Sequence, residues 1–116
     1  MSRLYVIRNT ADVASVPCPC GQAWRIITGA DNDLLSVHRV SISGTAKVHY
    51  HQWLMEYYII LEGSGEVMPD DERIPVRPND VIMVAPGTRH ALDGELEIIN
   101  VVCPPFDSND EHVVEE

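Results

Sequence analysis

Apolar and polar residues alternate over short stretches of this chain, which is the pattern of β-strands with one buried face. Residues that favour tight turns, mainly Gly, Pro, Asn and Asp, separate these stretches. No stretch has the spacing of a long amphipathic helix, although a short helical turn near residues 10–14 fits the pattern. Strands are therefore predicted at residues 4–7, 23–28, 34–43, 47–51, 55–61, 66–68, 73–76, 81–85, 89–92 and 96–103.

The turn sequences indicate how these strands connect. Residues 69–72 suit a hairpin turn, and Pro86-Gly87 suits the two central positions of a type II turn. Asn79 can enter the left-handed region, while Pro104-Pro105 ends the last strand because proline donates no ladder hydrogen bond. Many short strands with regular turns and no internal repeat indicate a sandwich or barrel, and an all-β jelly roll fits this pattern.

The length of 116 residues fits one small domain, and 45 % hydrophobic residues suffice for a single core. We expect the core at about residues 36–103, preceded by an N-terminal strand and loop at 1–33. The acidic tail at residues 107–116, which includes His112, is predicted to stay solvated.

The composition excludes several classes of partner. The formal net charge of −10 opposes binding to nucleic acid and to anionic membrane surfaces. No apolar run is long enough for a transmembrane helix, and the N-terminus lacks the apolar stretch of a secretory signal, so we expect a cytoplasmic protein.

The chain has three cysteines, an odd number that argues against a disulfide framework. Cys18 and Cys20 are separated only by Pro19. A metal or redox role would call for a second cysteine pair or a neighbouring βαβ pattern, and neither is visible. Two ordinary loop thiols are therefore the favoured interpretation of this pair.

Three histidines and one glutamate form the strongest chemical signal. His49 and His51 are two residues apart on a predicted strand, so their side chains share a face with Cβ atoms roughly 7 Å apart. Glu56 follows a short corner and can return on the next strand, and His90 follows the turn at residues 86–89. Three imidazoles and one carboxylate suit a divalent transition metal. We predict that His49, His51, Glu56 and His90 bind such an ion.

The spacing of these residues resembles the first motif of the cupin superfamily. That motif is a Gly, a short gap, His-x-His, three or four residues, Glu, six residues and Gly. In this chain those places are taken in order by Gly44, His49, His51, Glu56 and Gly63. The gap after the first glycine is one residue shorter than the commonest form.

A second stretch resembles the other cupin motif, Gly-Asp, a short apolar run, and Pro-x-Gly-x-x-His. Asp80, Gly87 and His90 match this motif. Asn79 and Ala85 replace its Gly and its Pro, and Gly94 stands where cupins often carry an Asn. These departures affect turns rather than ligands. The chain is thus similar to small single-domain cupins from about residue 36 to residue 107.

The resemblance implies a double-stranded β-helix, the jelly-roll barrel of cupins. It also implies a metal-dependent enzyme of the dioxygenase, isomerase, decarboxylase or lyase type that acts on a small oxygen-rich molecule. The mixed nitrogen and oxygen ligands suit iron, manganese, zinc, nickel or cobalt. The alternative is a non-catalytic protein in which the metal supports a small-ligand pocket. The complete ligand set favours the enzyme, and the lack of a subfamily signature favours the binding protein.

Four other residues are candidates for catalysis or substrate binding beside the metal. Tyr58 has the strand parity of Glu56, so its phenol can donate a proton or orient a substrate, or it can simply fill the barrel. Lys47 and Arg25 can anchor a substrate, although both residue types are usually solvated. His38 lies on a predicted buried face, where a hydrogen-bonded core histidine is favoured over a pocket residue.

A homodimer is also predicted. The strand at residues 4–7 is separated from the rest by a long Pro- and Gly-containing loop, and uncovered sheet edges invite pairing with another chain. Closed twofold pairs are the commonest soluble oligomers, and small cupins similar to this chain are frequently dimers. We expect the interface to include the N-terminal strand and an outward sheet face that carries Tyr50 or Tyr57.

Overall fold

The structure is a computed structural model that describes residues 5–114. Within this range the chain forms β-strands and two short 3-10 turns, at Thr10–Asp12 and Ser108–Asp110, and no α-helix. The strands are β1 (Ser15–Cys18), β2 (Gly21–Ile27), β3 (Ser36–Thr45), β4 (His49–Tyr50), β5 (Met55–Val67), β6 (Ile74–Val76), β7 (Val81–Val84), β8 (Leu92–Cys103) and β9 (His112–Val113). The predicted all-β class and the predicted helical turn near residues 10–14 are confirmed.

Seven strands form one antiparallel sheet in the order β1-β2-β3-β8-β5-β6, and β7 also pairs with β5. One edge of β5 pairs with β8, and its other edge pairs with β7 and β6 at opposite ends of the strand. Strands β4 and β9 form a separate two-stranded sheet. Backbone hydrogen bonds between His49 and His90 join this small sheet to the segment that precedes β8. This arrangement is the predicted jelly roll.

Alternation along the strands separates a buried face from an outer face. Every second residue of β3 is buried from Ser36 to Ile42, and every second residue of β5 is buried from Glu56 to Ile60. The inward apolar residues form one core, to which each large side chain contributes about 1.5–3 kcal/mol by leaving water. The same inward faces carry His38, Glu56 and Tyr58, so the strand parity that builds the core also points polar groups inward.

The turns behave as the sequence predicts. Asn79 has a φ of 78° and Gly87 a φ of 85°, and the amide of Thr88 donates to the carbonyl of Ala85 at 3.2 Å, as in a type II turn. Strand β5 pairs with β6 across the hairpin at residues 69–72, and β8 ends before Pro104-Pro105. No helix in the described part of the chain is long and apolar enough to cross a bilayer.

Two predicted strand ends are wrong. Strand β5 continues through the glycines at residues 63–65, and β8 continues through Asp93-Gly94. The two glycine segments face each other, with Gly65 opposite Gly94. A Cβ atom at Gly63 would collide with the carbonyl of Glu95, so these glycines mark a close approach of two strands rather than a break.

The N-terminal region also differs from expectation. Leu4 lies outside the described residues, and Tyr5 to Ile7 are not in a strand, so that part of the prediction is wrong. Residues 15–18, predicted as loop, form β1 instead. Pro17 is compatible with a strand there because β1 is an edge strand, where a missing amide donor costs no ladder hydrogen bond.

Cys18 and Cys20 form a disulfide beside the β1–β2 turn, so the expectation of two free loop thiols is wrong. The hairpin places Cys18 opposite Gly21 and brings the two sulfur atoms together. Sequence reasoning missed the pairing because it read this hairpin as loop. Cys103 is the free cysteine of the described chain.

Candidate metal centre

The four predicted ligands come together at one buried point. One ligand atom from each of His49, His51, Glu56 and His90 lies within 4.8 Å of the others, and all four side chains are buried. Strand β4 and the residue after it supply two histidines, β5 supplies the glutamate, and the segment before β8 supplies the third histidine. The chain thus gathers a complete ligand set from three separate segments.

The three imidazoles all use the same ring nitrogen, Nδ1, to contact a backbone carbonyl. In each ring Nδ1 lies against a backbone carbonyl, which only accepts hydrogen bonds, so Nδ1 carries the hydrogen and donates it. Nε2 of each neutral ring is then left with a lone pair that can bind a metal ion, and such second contacts commonly fix a metal-binding histidine. The distances are 3.0 Å from His49 to Lys47, 2.7 Å from His51 to Asp110 and 2.8 Å from His90 to Thr88.

Glu56 faces two of these lone pairs, those of His51 and His90. Its Oε1 lies 3.0 Å from Nε2 of His51 and 2.9 Å from Nε2 of His90, and its Oε2 accepts from Nδ2 of Asn100 at 2.8 Å. Nε2 of His51 has no hydrogen-bond partner within the described chain, although it is buried. Acceptor atoms at these distances repel unless a proton or a metal ion lies between them. The residues present therefore fit a divalent cation.

The charge states also suit a metal. Burial would raise the pKa of the Glu56 carboxyl, but its contacts with His51 and His90 outweigh burial and hold the pKa well below its usual value. Burial and the neighbouring His90 lower the pKa of His49 to about 4. At neutral pH the site therefore offers an ionised carboxylate and a neutral His49 imidazole, the forms that bind metals.

A cavity opens beside the ligands. His49, His51 and Glu56 reach its wall, which the disulfide, the inward residues of the sheet and two C-terminal residues complete. The other lining residues are Cys18, Cys20, Ala23, Arg25, His38, Val40, Tyr58, Asn100, Phe106 and Glu111. A small molecule in this cavity would contact both the metal ligands and these side chains.

Tyr58 lies where its parity predicts. Its hydroxyl donates to Oε1 of Glu56 at 3.3 Å, and its side chain is buried. Burial, then the negative charge of Glu56, raises the pKa of this phenol well above its usual value, so Tyr58 keeps its proton at neutral pH.

Of the other three predicted residues, two line the cavity and one does not. Arg25 lines the cavity, with its guanidinium carbon 4.8 Å from the ring centre of Phe106. His38 also lines it while Nε2 lies 2.8 Å from Oγ of Ser36, so the hydrogen-bonded and the pocket interpretations both apply. Burial and then Arg25 lower the pKa of His38 to about 4. Lys47 is exposed and does not line the cavity.

Sequence reasoning missed the contribution of the C-terminal segment. The prediction of a solvated tail holds for residues 107–109, which are exposed, but it is wrong for the residues that follow, because Asp110 is fully buried and β9 pairs with β4. His112 was expected to be solvated, but its ring stacks on Tyr50 with centres 5.0 Å apart. Phe106 and Glu111 line the cavity, and Asn100 contacts a ligand. Only the buried parity of β8 could have indicated Asn100, and no local pattern marks the others.

Comparison with known proteins gives a consistent result. The Cupin domain family model matches residues 36–102, more than half of the chain. An uncharacterised protein of Methanocaldococcus jannaschii is 30 % identical over 80 residues, which are 66 % of this chain and 64 % of that protein, so the match spans less than two thirds of the relative.

Solved structures match over most of the chain. A protein from Planctomyces limnophilus is 32 % identical with a TM-score of 0.89, covering 94 % of this chain and 96 % of that one. Pac13 of Streptomyces, described as a nucleoside dehydratase, is 21 % identical with a TM-score of 0.84, covering 96 % of this chain and 92 % of that one. The second likeness establishes the fold alone.

Proposed function

The chain belongs to the cupin domain family, and on that premise we propose that it is a metal-dependent enzyme acting on a small oxygen-rich molecule. The observation that carries the proposal is that one ligand atom from each of the four residues lies within 4.8 Å of the others, with Nε2 of His51 and of His90 directed at Oε1 of Glu56. A cation or a proton between these atoms removes their repulsion. His49, His51, Glu56 and His90 would hold the ion.

Four protein ligands leave open positions on a five- or six-coordinate ion. Nitrogen and oxygen donors without thiolate suit iron, manganese, zinc, nickel or cobalt. When bound, such an ion supplies Lewis acidity and orients oxygen atoms of the substrate. Because His49, His51 and Glu56 line the cavity, a substrate in the cavity would lie beside the ion.

Tyr58 is the residue of this chain that we assign to proton handling. Its phenol is protonated, buried and directed at Glu56, and it lines the cavity. It can therefore donate a hydrogen bond or a proton to a substrate oxygen that approaches the ligands. A dehydration, isomerisation or decarboxylation would each require a proton to be delivered or removed at such a point.

Arg25 gives the cavity a positive charge on the side lined by Phe106. No carboxylate of the described residues lies within ion-pair distance of its guanidinium. A carboxylate or another anionic group on the substrate can therefore pair with Arg25 while the other end of the molecule lies beside the metal ligands. His38, neutral at pH 7, can hydrogen-bond the middle of such a molecule.

The test is a substrate screen on the full-length protein loaded with iron(II) or manganese(II), with oxygen consumption and product formation followed together. The panel pairs each hydroxy acid with its uncharged amide, because Arg25 should favour the acid. The matched control is the His49→Ala/His51→Ala protein, which lacks two ligands. Metal-dependent turnover lost in this control would support the enzyme. Tight ligand binding without turnover would support the non-catalytic binding protein instead.

A further inference from the structure

The segment after β8 returns to the metal centre. Residues 108–110 form a 3-10 turn, and β9 then pairs with β4, placing Val113 opposite His49 and His112 opposite Tyr50. This segment lies outside the region matched by the family model. Its position is therefore a feature of this chain that the family match does not describe.

Asp110 makes the main contacts between this C-terminal segment and the metal centre. Its carboxylate is fully buried and accepts three backbone amides, at 2.7 Å from Gln52, 2.8 Å from Trp53 and 3.0 Å from Leu54. These three residues are the corner that joins His51 to β5. A buried carboxylate is costly unless it is paired or hydrogen-bonded, and the three amides supply that compensation.

The same residue contacts a metal ligand directly. The carbonyl of Asp110 accepts a hydrogen bond from Nδ1 of His51 at 2.7 Å. Its Oδ1 also lies 3.2 Å from Nε2 of His112, whose ring stacks on Tyr50, the residue between His49 and His51. Asp110 thus fixes both the backbone on which His51 is carried and the direction in which its ring points.

We infer that Asp110 is a positioning residue for the metal centre, acting through His51 and through the corner at residues 52–54. The inference rests on the proposed metal-dependent function. A role limited to loop stability would need only the carboxylate, whereas the carbonyl contact orients the imidazole itself. Groups that orient metal ligands in this way commonly change metal affinity by 10–100-fold when they are altered.

The first test compares Co2+ binding by full-length wild-type protein and by Asp110→Asn. An asparagine offers one acceptor oxygen, so at least one of the three corner amides loses its acceptor. We expect Asp110→Asn to bind Co2+ about 10–100-fold more weakly and to shift the visible absorption bands of the bound ion, because the field at the metal changes.

The matched control is Asp107→Asn, in which the same charge is lost from the same segment. Among the described residues the Asp107 carboxylate accepts from the amide of Asn109 within its own turn, so the Co2+ affinity and spectrum of this variant should equal those of wild type. A lower melting temperature of metal-free Asp110→Asn with unchanged Co2+ affinity and spectrum would overturn the inference. Wild-type protein that binds no Co2+ would instead overturn the proposed function.

A second measurement uses only wild-type protein, so it tests the positioning role of Asp110 even if Asp110→Asn does not fold. Linkage is reciprocal, so if the Asp110 contacts favour metal binding, bound metal must stabilise those contacts. Co2+ should therefore slow amide hydrogen exchange at residues 52–54 of wild-type protein. The amide of His90, which donates to the carbonyl of His49, is the internal reference for protection at the ligands. Protection of His90 without protection at residues 52–54 would refute the positioning role.

Discussion

Oε1 of Glu56 lies 2.9 Å from Nε2 of His90, while Nδ1 of the same ring lies 2.8 Å from the carbonyl of Thr88. Because Nδ1 donates to that carbonyl, the neutral ring presents only a lone pair to the carboxylate. A positive charge between the two atoms removes the repulsion.

The four-residue ligand set predicts how much metal the protein binds. Purified protein should carry about one divalent transition metal ion per chain, and His49→Ala/His51→Ala should lose most of it, because two of four ligands are gone. Elemental analysis after removal of loosely bound ions measures this. His38→Gln is the control, since His38 lines the cavity without belonging to the ligand set. Full loading of the double variant would contradict the assignment.

Acid should release the metal. Burial opposes a charge on His51, but its contact with Glu56 outweighs burial and raises the pKa of His51 above its usual value. Protons therefore compete with the metal at His51 as the pH falls through neutrality, before they reach His49, whose pKa is about 4. Co2+ affinity measured from about pH 8 to about pH 5 should fall over this interval.

In the metal-free protein, the contribution of His51 to folding stability should depend on pH in the opposite direction to metal affinity. A group whose pKa is raised on folding contributes stability below its unfolded pKa, and that contribution disappears as the pH rises through the folded value. The melting-temperature increase caused by metal should consequently be larger at about pH 8 than at about pH 6. An increase that does not change with pH would show that His51 is not protonated in the metal-free site.

Tyr58 distinguishes an enzyme from a binding protein. Tyr58→Phe should retain metal content and melting temperature, because only the hydroxyl contact with Glu56 is lost. Turnover of any substrate found should fall by roughly 10²–10⁴-fold if the phenol transfers the proton. Tyr57→Phe is the control, since that neighbour points to the opposite face of β5. Equal rates for both variants would leave Tyr58 as a packing residue.

Gly63, at the close approach of β5 to β8, and Gly44, on β3, give a prediction about stability. Gly63 and Gly44 both have positive φ, 99° and 85°. A Cβ atom would meet the carbonyl of Glu95 at Gly63, but nothing within 4 Å at Gly44. Gly44→Ala should cost about 1–2 kcal/mol from its φ alone, and Gly63→Ala distinctly more, as measured by chemical denaturation. Equal losses would mean that the sheet relaxes freely at Gly63.

The homodimer stays a prediction, with a changed interface. Tyr50 is covered by His112 of its own chain, so Tyr57 is the outward tyrosine that remains available. Tyr57 pairs across the ladder with Met83, which is 61 % exposed. Light scattering should give a dimeric mass for wild-type protein and a smaller mass for Met83→Lys. A monomeric mass for wild type at micromolar concentration would end the idea.

Much of the metal centre was already implicit in local spacing. Two histidines two residues apart on a strand must share a face, and a glutamate on the next strand with the parity of Tyr58 and Ile60 must point to the core. The turn that precedes His90 is likewise a local property of Pro86-Gly87. Period-two alternation and turn chemistry act over a few residues, so they can be read without knowing which strands pair.

The contacts that complete the site join residues that are far apart in the sequence. His51 and Asp110 are separated by 59 positions, and no local pattern marks an acidic tail residue as a buried partner of a strand corner. From the sequence alone the glycines of β5 predict a strand end, whereas in the fold Gly94 of β8 lies opposite Gly65 and the strand continues. In both cases the deciding interaction joins distant segments, and its free energy depends on which surfaces the folded chain brings together.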